Sequence, residues 1–176
     1  MIRALGPGSV SSFLKVILDV FYVVLWVLGL IFAAVILGLL LISFDPQILP
    51  AQVLAHASVQ GMPPGPLAAV ALALVELSLI GVLIIVQRLR RIFGAMTAGD
   101  PFHPDNVRRL RVIALVLALV EVNSYLIEGF SHLVLSERNQ KFSLDLTGWF
   151  AVLVIVVLAE VFREGARLRR DAELTI

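Results

Sequence analysis

The chain has 176 residues, of which 60% are hydrophobic and 15% charged, with a net charge of +1 and no cysteine. Soluble domains run at about 45–50% apolar and about 25% charged residues, so a water-soluble globule is excluded and lipid is the expected solvent for most of this surface. The near-neutral balance argues against direct nucleic-acid binding, and the lack of cysteine excludes disulfides, thiolate metal sites and cysteine nucleophiles.

A helix needs roughly 20 apolar residues to cross about 30 Å of hydrocarbon. Four runs reach that length, at 16–43, 67–86, 112–133 and 144–162. The predicted fold class is therefore all-α: one transmembrane domain over 1–176, an integral membrane four-helix bundle with short helical extensions in the loop 87–111 and the tail 163–176. The first run is too long for the apolar region of a signal peptide, and the A-x-A-like Ala55-His56-Ala57 lies far beyond its end, so it reads as a retained span.

Of the 14 Lys and Arg residues, Arg138 and Lys141 lie in the third loop. All the others flank the spans on the opposite side, at Arg3, Lys15, the arginines of 88–111 and those of 163–170. The positive-inside rule reads this as N-in and C-in, with both termini and the second loop cytoplasmic.

Following the chain, the first outer loop carries Pro46, Pro50, Pro63, Pro64 and Pro66, which end helices; between them 51–59 is expected to form a short interfacial helix. The second span continues past the membrane as a basic amphipathic helix, since Leu89, Ile92, Phe93 and Met96 recur at helical spacing among Arg88, Arg90 and Arg91. Gly99 is expected to stop it. After the turn Asp100-Pro101-Phe102, Pro104 suits the first position of the next helix and Asp105 its positive dipole end. The loop arginines set topology and touch anionic headgroups, at about 1 kcal/mol each. They are also docking candidates for a cytosolic protein, foremost Arg88, Arg91, Arg108 and Arg109. The tail is expected to extend the fourth span, and Asp19, Glu160 and Glu164 read as interfacial charges.

The loop AGDPFHPDNVRRLRVIA and the tail EVFREGARLRRDAELTI resemble those of a bacterial membrane family, domain-of-unknown-function family 2975. The resemblance rests on Phe102, Asn106, Leu110, Gly165, Leu168, Leu174, Thr175 and Ile176, and extends to the four-span layout along nearly the whole chain. A hydroxyl residue is usual where His103 stands, which implies a weaker helix cap here. The resemblance implies a bacterial cytoplasmic (inner) membrane, adds Phe102, Asn106, Gly165, Leu174 and Ile176 to the docking candidates, and points to a helix-turn-helix regulator of the Cro type as partner, because such regulators neighbour members of the family.

Inside the spans, Glu76 and Glu121 each lie about ten residues from a span end, which at 1.5 Å per residue places both near the midplane. They are expected to meet. On the third span Ala114, Ala118, Glu121, Tyr125, Glu128 and His132 form one stripe facing the bundle; Gly65, Ala69, Ala73 and Glu76 form a small-residue face on the second, and Asp19, Tyr22, Trp26, Gly29 and Ala33 a stripe on the first. No basic residue lies at hydrocarbon depth, so the two acids have no cationic partner within the chain. They read as a hydrogen-bonded clamp involving Asn123, Ser78 or Ser124, as a site, with Asn123 and Glu128, for a proton or cation, or as a contact for another protomer or protein. Glu128 and His132, even with His56, fall short of a specified metal site, and no cofactor is expected.

Neither H-E-x-x-H nor G-x-S-x-G occurs, and no enzyme is expected. The first functional reading is a non-enzymatic membrane partner or regulator of a cytosolic protein. The alternative is a small proton- or cation-coupled transporter or ion pathway using the midplane glutamates. A homo-oligomer is a candidate assembly for either.

Overall fold

The computed structural model describes residues 10–44, 66–98, 102–135 and 146–173. The predicted interfacial helix 51–59, the turn residues Gly99 to Pro101, the third loop and the last three residues lie outside them. The described residues form four helices: α1 (Val10–Phe44), α2 (Pro66–Thr97), α3 (Pro104–Leu135) and α4 (Leu146–Glu173). Each is long and apolar enough to cross a membrane, and together they make an all-α bundle.

The helices outrun their apolar runs in the direction the amphipathic spacing predicts. The 32 residues of α2 rise about 48 Å at 1.5 Å each, well beyond a hydrocarbon core of about 30 Å. Its arginine-bearing last turns are therefore continuous with the span, and α4 likewise runs through Arg163, Arg167 and Arg170 without a break. Thr97 closes α2 by donating its hydroxyl to the Phe93 carbonyl at 2.8 Å.

Each helix packs on its neighbours in the chain, α1 on α2, α2 on α3 and α3 on α4, and all three pairs run antiparallel. Among the described residues α1 makes no close backbone approach to α3 or α4. Val16, Val20, Val23, Leu30 and Leu37 on α1, and Leu153, Val156, Val157 and Val161 on α4, are more than half exposed. In water that arrangement would be self-defeating; in a bilayer it is the surface that faces lipid.

The α2–α3 seam is built on a glycine. Gly81 is buried, and a Cβ there would collide with the Val120 side chain and lie 3.6 Å from Val116 Cγ1. One turn away, Asn123 donates its amide to the Leu74 carbonyl at 2.8 Å and to Ser78 Oγ at 2.7 Å. Interhelical hydrogen bonds of this kind contribute about 0.6 kcal/mol on average in a membrane protein. On the outer pair, Trp149 Nε1 donates to the Tyr125 hydroxyl at 3.0 Å.

Among the described residues, a hydrophobic cluster buried as in a soluble protein sits at the arginine-rich end. It joins Ile92 of α2, Leu110 and Ile113 of α3 and Ala159 of α4, with Leu89, Met96 and Phe162 packed around them. Burial away from both water and lipid is what an α-helical end needs once it leaves the membrane.

Candidate functional site

The first turn of α3 organises the arginine-rich end. His103 occupies the cap position, and its ring Nδ1 accepts the Asp105 backbone N–H at 3.2 Å, doing the work expected of a hydroxyl. The cap is thus present in a different chemical form. His103→Ala is expected to cost about 1 kcal/mol and His103→Ser to be neutral within about 0.3 kcal/mol, measured by unfolding in mild detergent.

Asn106 is fully buried. Its N–H bonds the His103 carbonyl at 2.9 Å, and its Oδ1 accepts Arg109 Nη1 at 2.8 Å. The same Arg109 nitrogen donates to the Arg91 carbonyl at 3.1 Å, tying the start of α3 to the exposed end of α2. Arg109 also lies 3.7 Å from Asp105. Asn106 therefore shapes this end from beneath; it offers no atom to a partner.

Phe102, itself 40% exposed, lays one side of its ring against α4. Its ring lies 5.7 Å from that of Phe162 at a 49° tilt and covers Gly165, where an added Cβ would stand 2.7 Å from the Phe102 ring. Only glycine lets the ring lie on the helix backbone. Gly165→Ala is expected to displace Phe102 and cost about 1–2 kcal/mol, with Gly165→Ala in a Phe102→Leu background losing less than half as much by the same unfolding measurement.

Two cavities flank the first turns of α3. One, of about 270 Å³, lies on the α2 side and is lined by Arg88, Arg91, Asp105, Arg108, Arg109 and Val112. The other, of about 410 Å³, lies on the α4 side, with Pro104, Val107, Arg111, Glu164, Arg167 and Arg170 among its walls. There Arg167 pairs with Glu164 at 2.7 Å and Arg163 with Glu160, as the one-turn spacing predicts. Of the sequence-predicted docking residues, Arg88, Arg91, Arg108 and Arg109 converge on the first cavity; Phe102, Asn106 and Gly165 are the packing that holds both cavities in place. Leu174 and Ile176 lie outside the described residues.

The midplane carboxylates do not form a shared site. Glu76 faces α1, where its Oε1 would lie 3.4 Å from a Cβ on Gly29; Glu121 faces α4, filling the space a side chain on Gly148 would take. They stand at similar depth but point to opposite neighbours. Asn123 makes the α2–α3 clamp, with Ser78 as partner and without either acid. Ser124 instead donates back to the Glu121 carbonyl. Glu76 Oε2 is buried without a hydrogen-bond partner among the described residues, beside an apolar cavity of about 320 Å³ lined in part by Trp26, Gly29 and Ala33. Glu128 sits further along α3, where its carbonyl accepts the Ser131 hydroxyl. Among the described residues no three acidic or histidine side chains gather to hold a metal.

Sequence reasoning missed one constellation. Asp19 pairs with Arg90 of α2, while the Arg90 guanidinium carbon lies 4.3 Å over the Tyr22 ring. Asp19 and Tyr22, one turn apart on α1, were the available signal, since together they make a cradle for one guanidinium. Arg111 and Arg170 on the α4-side cavity were also missed. Their spacing reads only as two more interfacial charges.

A family model described as "Protein of unknown function (DUF2975)" matches residues 48–176. The match takes in α2, α3 and α4 and leaves α1 outside, a narrower span than the near-complete one expected. No curated protein and no solved structure matches the chain. With most of its length matched, including the segment that brings Phe102, Asn106 and Gly165 together, this chain belongs to that family of proteins of unknown function.

Proposed function

We propose that this chain is a non-enzymatic protein of the bacterial cytoplasmic membrane, with both termini inside, that holds or regulates a cytosolic protein at its arginine-rich end. The observation that carries the reading is the packing of the second loop and the α4 extension into one platform through Phe102, Phe162 and Gly165. A segment needed only for topology has no reason to be buried on a core. The α4-side groove offers the docking chemistry: an apolar floor of Pro104 and Val107, acids already paired in their own helix, and Arg111 and Arg170 without a carboxylate partner among the described residues. That suits an acidic, partly apolar protein segment, and the family resemblance makes a helix-turn-helix regulator the first partner to test.

The experiment is photo-crosslinking in native membranes from positions 111 and 170, with the adducts identified by mass spectrometry. The expected adduct is a helix-turn-helix protein, lost in Arg111→Glu, Arg170→Glu chains that retain their helical content. Adducts only to lipid or to other copies of the chain overturn the reading.

One observation favours the second reading, a proton or cation pathway: the unpartnered Glu76 Oε2 beside its apolar cavity. That pathway would use Glu76 without Glu121. Glu76→Gln abolishing cation-driven flux in proteoliposomes supports it, and unchanged flux removes it.

A further inference from the structure

We propose that the cavity between the ends of α2 and α3 binds the phosphate of an anionic phospholipid headgroup. Three independent observations lead there.

The first is charge. Four arginines, Arg88, Arg91, Arg108 and Arg109, line the cavity with a single acid, Asp105. Asp105 is already approached by Arg109, and Arg109 is further held by Asn106 and the Arg91 carbonyl. Arg88, Arg91 and Arg108 have no carboxylate partner among the described residues. The groove on the other flank of α3 differs, because Glu160 and Glu164 neutralise two of its arginines.

The second is an unmet donor. Arg88 Nε is buried and has no acceptor among the described residues. A buried guanidinium N–H calls for an oxygen, and the planar fork of arginine presents paired donors that match two phosphate oxygens at once.

The third is depth. The apolar run of the second span ends at Val86 and that of the third begins at Val112. Arg88 lies two residues and Arg108 four residues beyond those edges, about 3–6 Å along each helix. Lipid phosphates lie at that level, just outside the hydrocarbon. Val112 lines the cavity on its membrane side, and below it Leu115 and Leu119 are exposed along α3, a track on which acyl chains can lie. Basic pockets between transmembrane helices at this level are suited to phosphorylated lipid heads. A free phosphate ion shares the head chemistry but gains nothing from the apolar track, so the lipid is the assigned ligand. The cavity and the proposed docking groove lie on opposite flanks of α3, and the two readings fail separately.

The test uses the full chain in detergent micelles, titrated with dioleoylphosphatidylglycerol or dioleoylphosphatidylcholine and read by native mass spectrometry. Phosphatidylglycerol is expected to bind at least tenfold more tightly than phosphatidylcholine. The Arg88→Gln, Arg91→Gln, Arg108→Gln chain is expected to lose that preference. A control with the same charge removed on the other flank, Arg111→Gln, Arg167→Gln, Arg170→Gln, is expected to keep phosphatidylglycerol affinity within twofold. Equal losses in the two variants would mean diffuse attraction to basic residues and would overturn the site; so would equal binding of the two lipids. Displacement of bound lipid by equimolar inorganic phosphate would make free phosphate the ligand and overturn the lipid assignment. Should the Gln variant fail to fold, Arg88→Lys, Arg91→Lys, Arg108→Lys keeps every charge and removes the forks. It is expected to bind several-fold more weakly, and wild-type affinity in it contradicts the proposal.

Discussion

Asn106→Ala is expected to destabilise the protein by about 2–3 kcal/mol, more than any other single polar deletion at the arginine-rich end. Asn106 is fully buried, so the change both opens a cavity and removes the acceptor for Arg109 Nη1. Arg109 is then held by the Arg91 carbonyl and by Asp105 at 3.7 Å, and loses the side-chain contact that fixed its direction. Asn106→Asp keeps an acceptor at the same place and adds a charge beside Arg109, so it is expected to lose less than half as much. Reversible unfolding in mixed micelles measures both. Equal losses from Ala and Asp would show that shape, and not the hydrogen bond, is what Asn106 supplies.

The second large effect lies in the membrane. Gly81→Leu is expected to cost about 3 kcal/mol, at the upper end of overpacking penalties. A Cβ at this position already collides with Val120, and a β-branched residue in a helix has essentially one rotamer, so Val120 cannot swing aside. The helices must separate, and the nearest casualty is the bridge from Asn123 to Leu74 and Ser78. Val120→Ala removes the colliding methyl groups. Combined with Gly81→Leu it is expected to recover more than half of the loss, a coupling that a double-mutant cycle reads directly. Additive costs would place the collision elsewhere.

Much of the fold was readable from residue order, because the signals are local. Hydropathy over about 20 residues reports a span whatever its neighbours do, and Pro104 marks a helix start through its own fixed φ. The amphipathic spacing of Leu89, Ile92, Phe93 and Met96 likewise carries α2 beyond the membrane. The stripe on α1 from Asp19 to Ala33 also faces α2, as periodicity predicts.

What was not readable is which helix each face meets. Depth places Glu76 and Glu121 together, yet depth is one coordinate and the angle about the bundle is another; the second depends on the order in which helices pack. Asn123, two residues from Glu121, points to α2, and Glu121 points to Gly148 on α4. Gly148 itself carried no signal, since a glycine in the first turn of a helix reads as an end. Asn106 misled in a different way. A polar residue near a helix start is normally solvated, whereas Asn106 is fully buried with Arg109 bonded to its Oδ1.

The second loop and the α4 extension form one packed unit, joined where Phe102 lies on Gly165. The chain has no cysteine, so Phe102→Cys with Gly165→Cys introduces the only reactive pair, and a short bifunctional maleimide applied to membrane vesicles reads their proximity. That packing requires an intramolecular crosslink within one chain, absent when Gly165→Cys is replaced by Trp149→Cys at the far end of α4. No crosslink in the first pair, with both cysteines reactive to a single-headed maleimide, would contradict it.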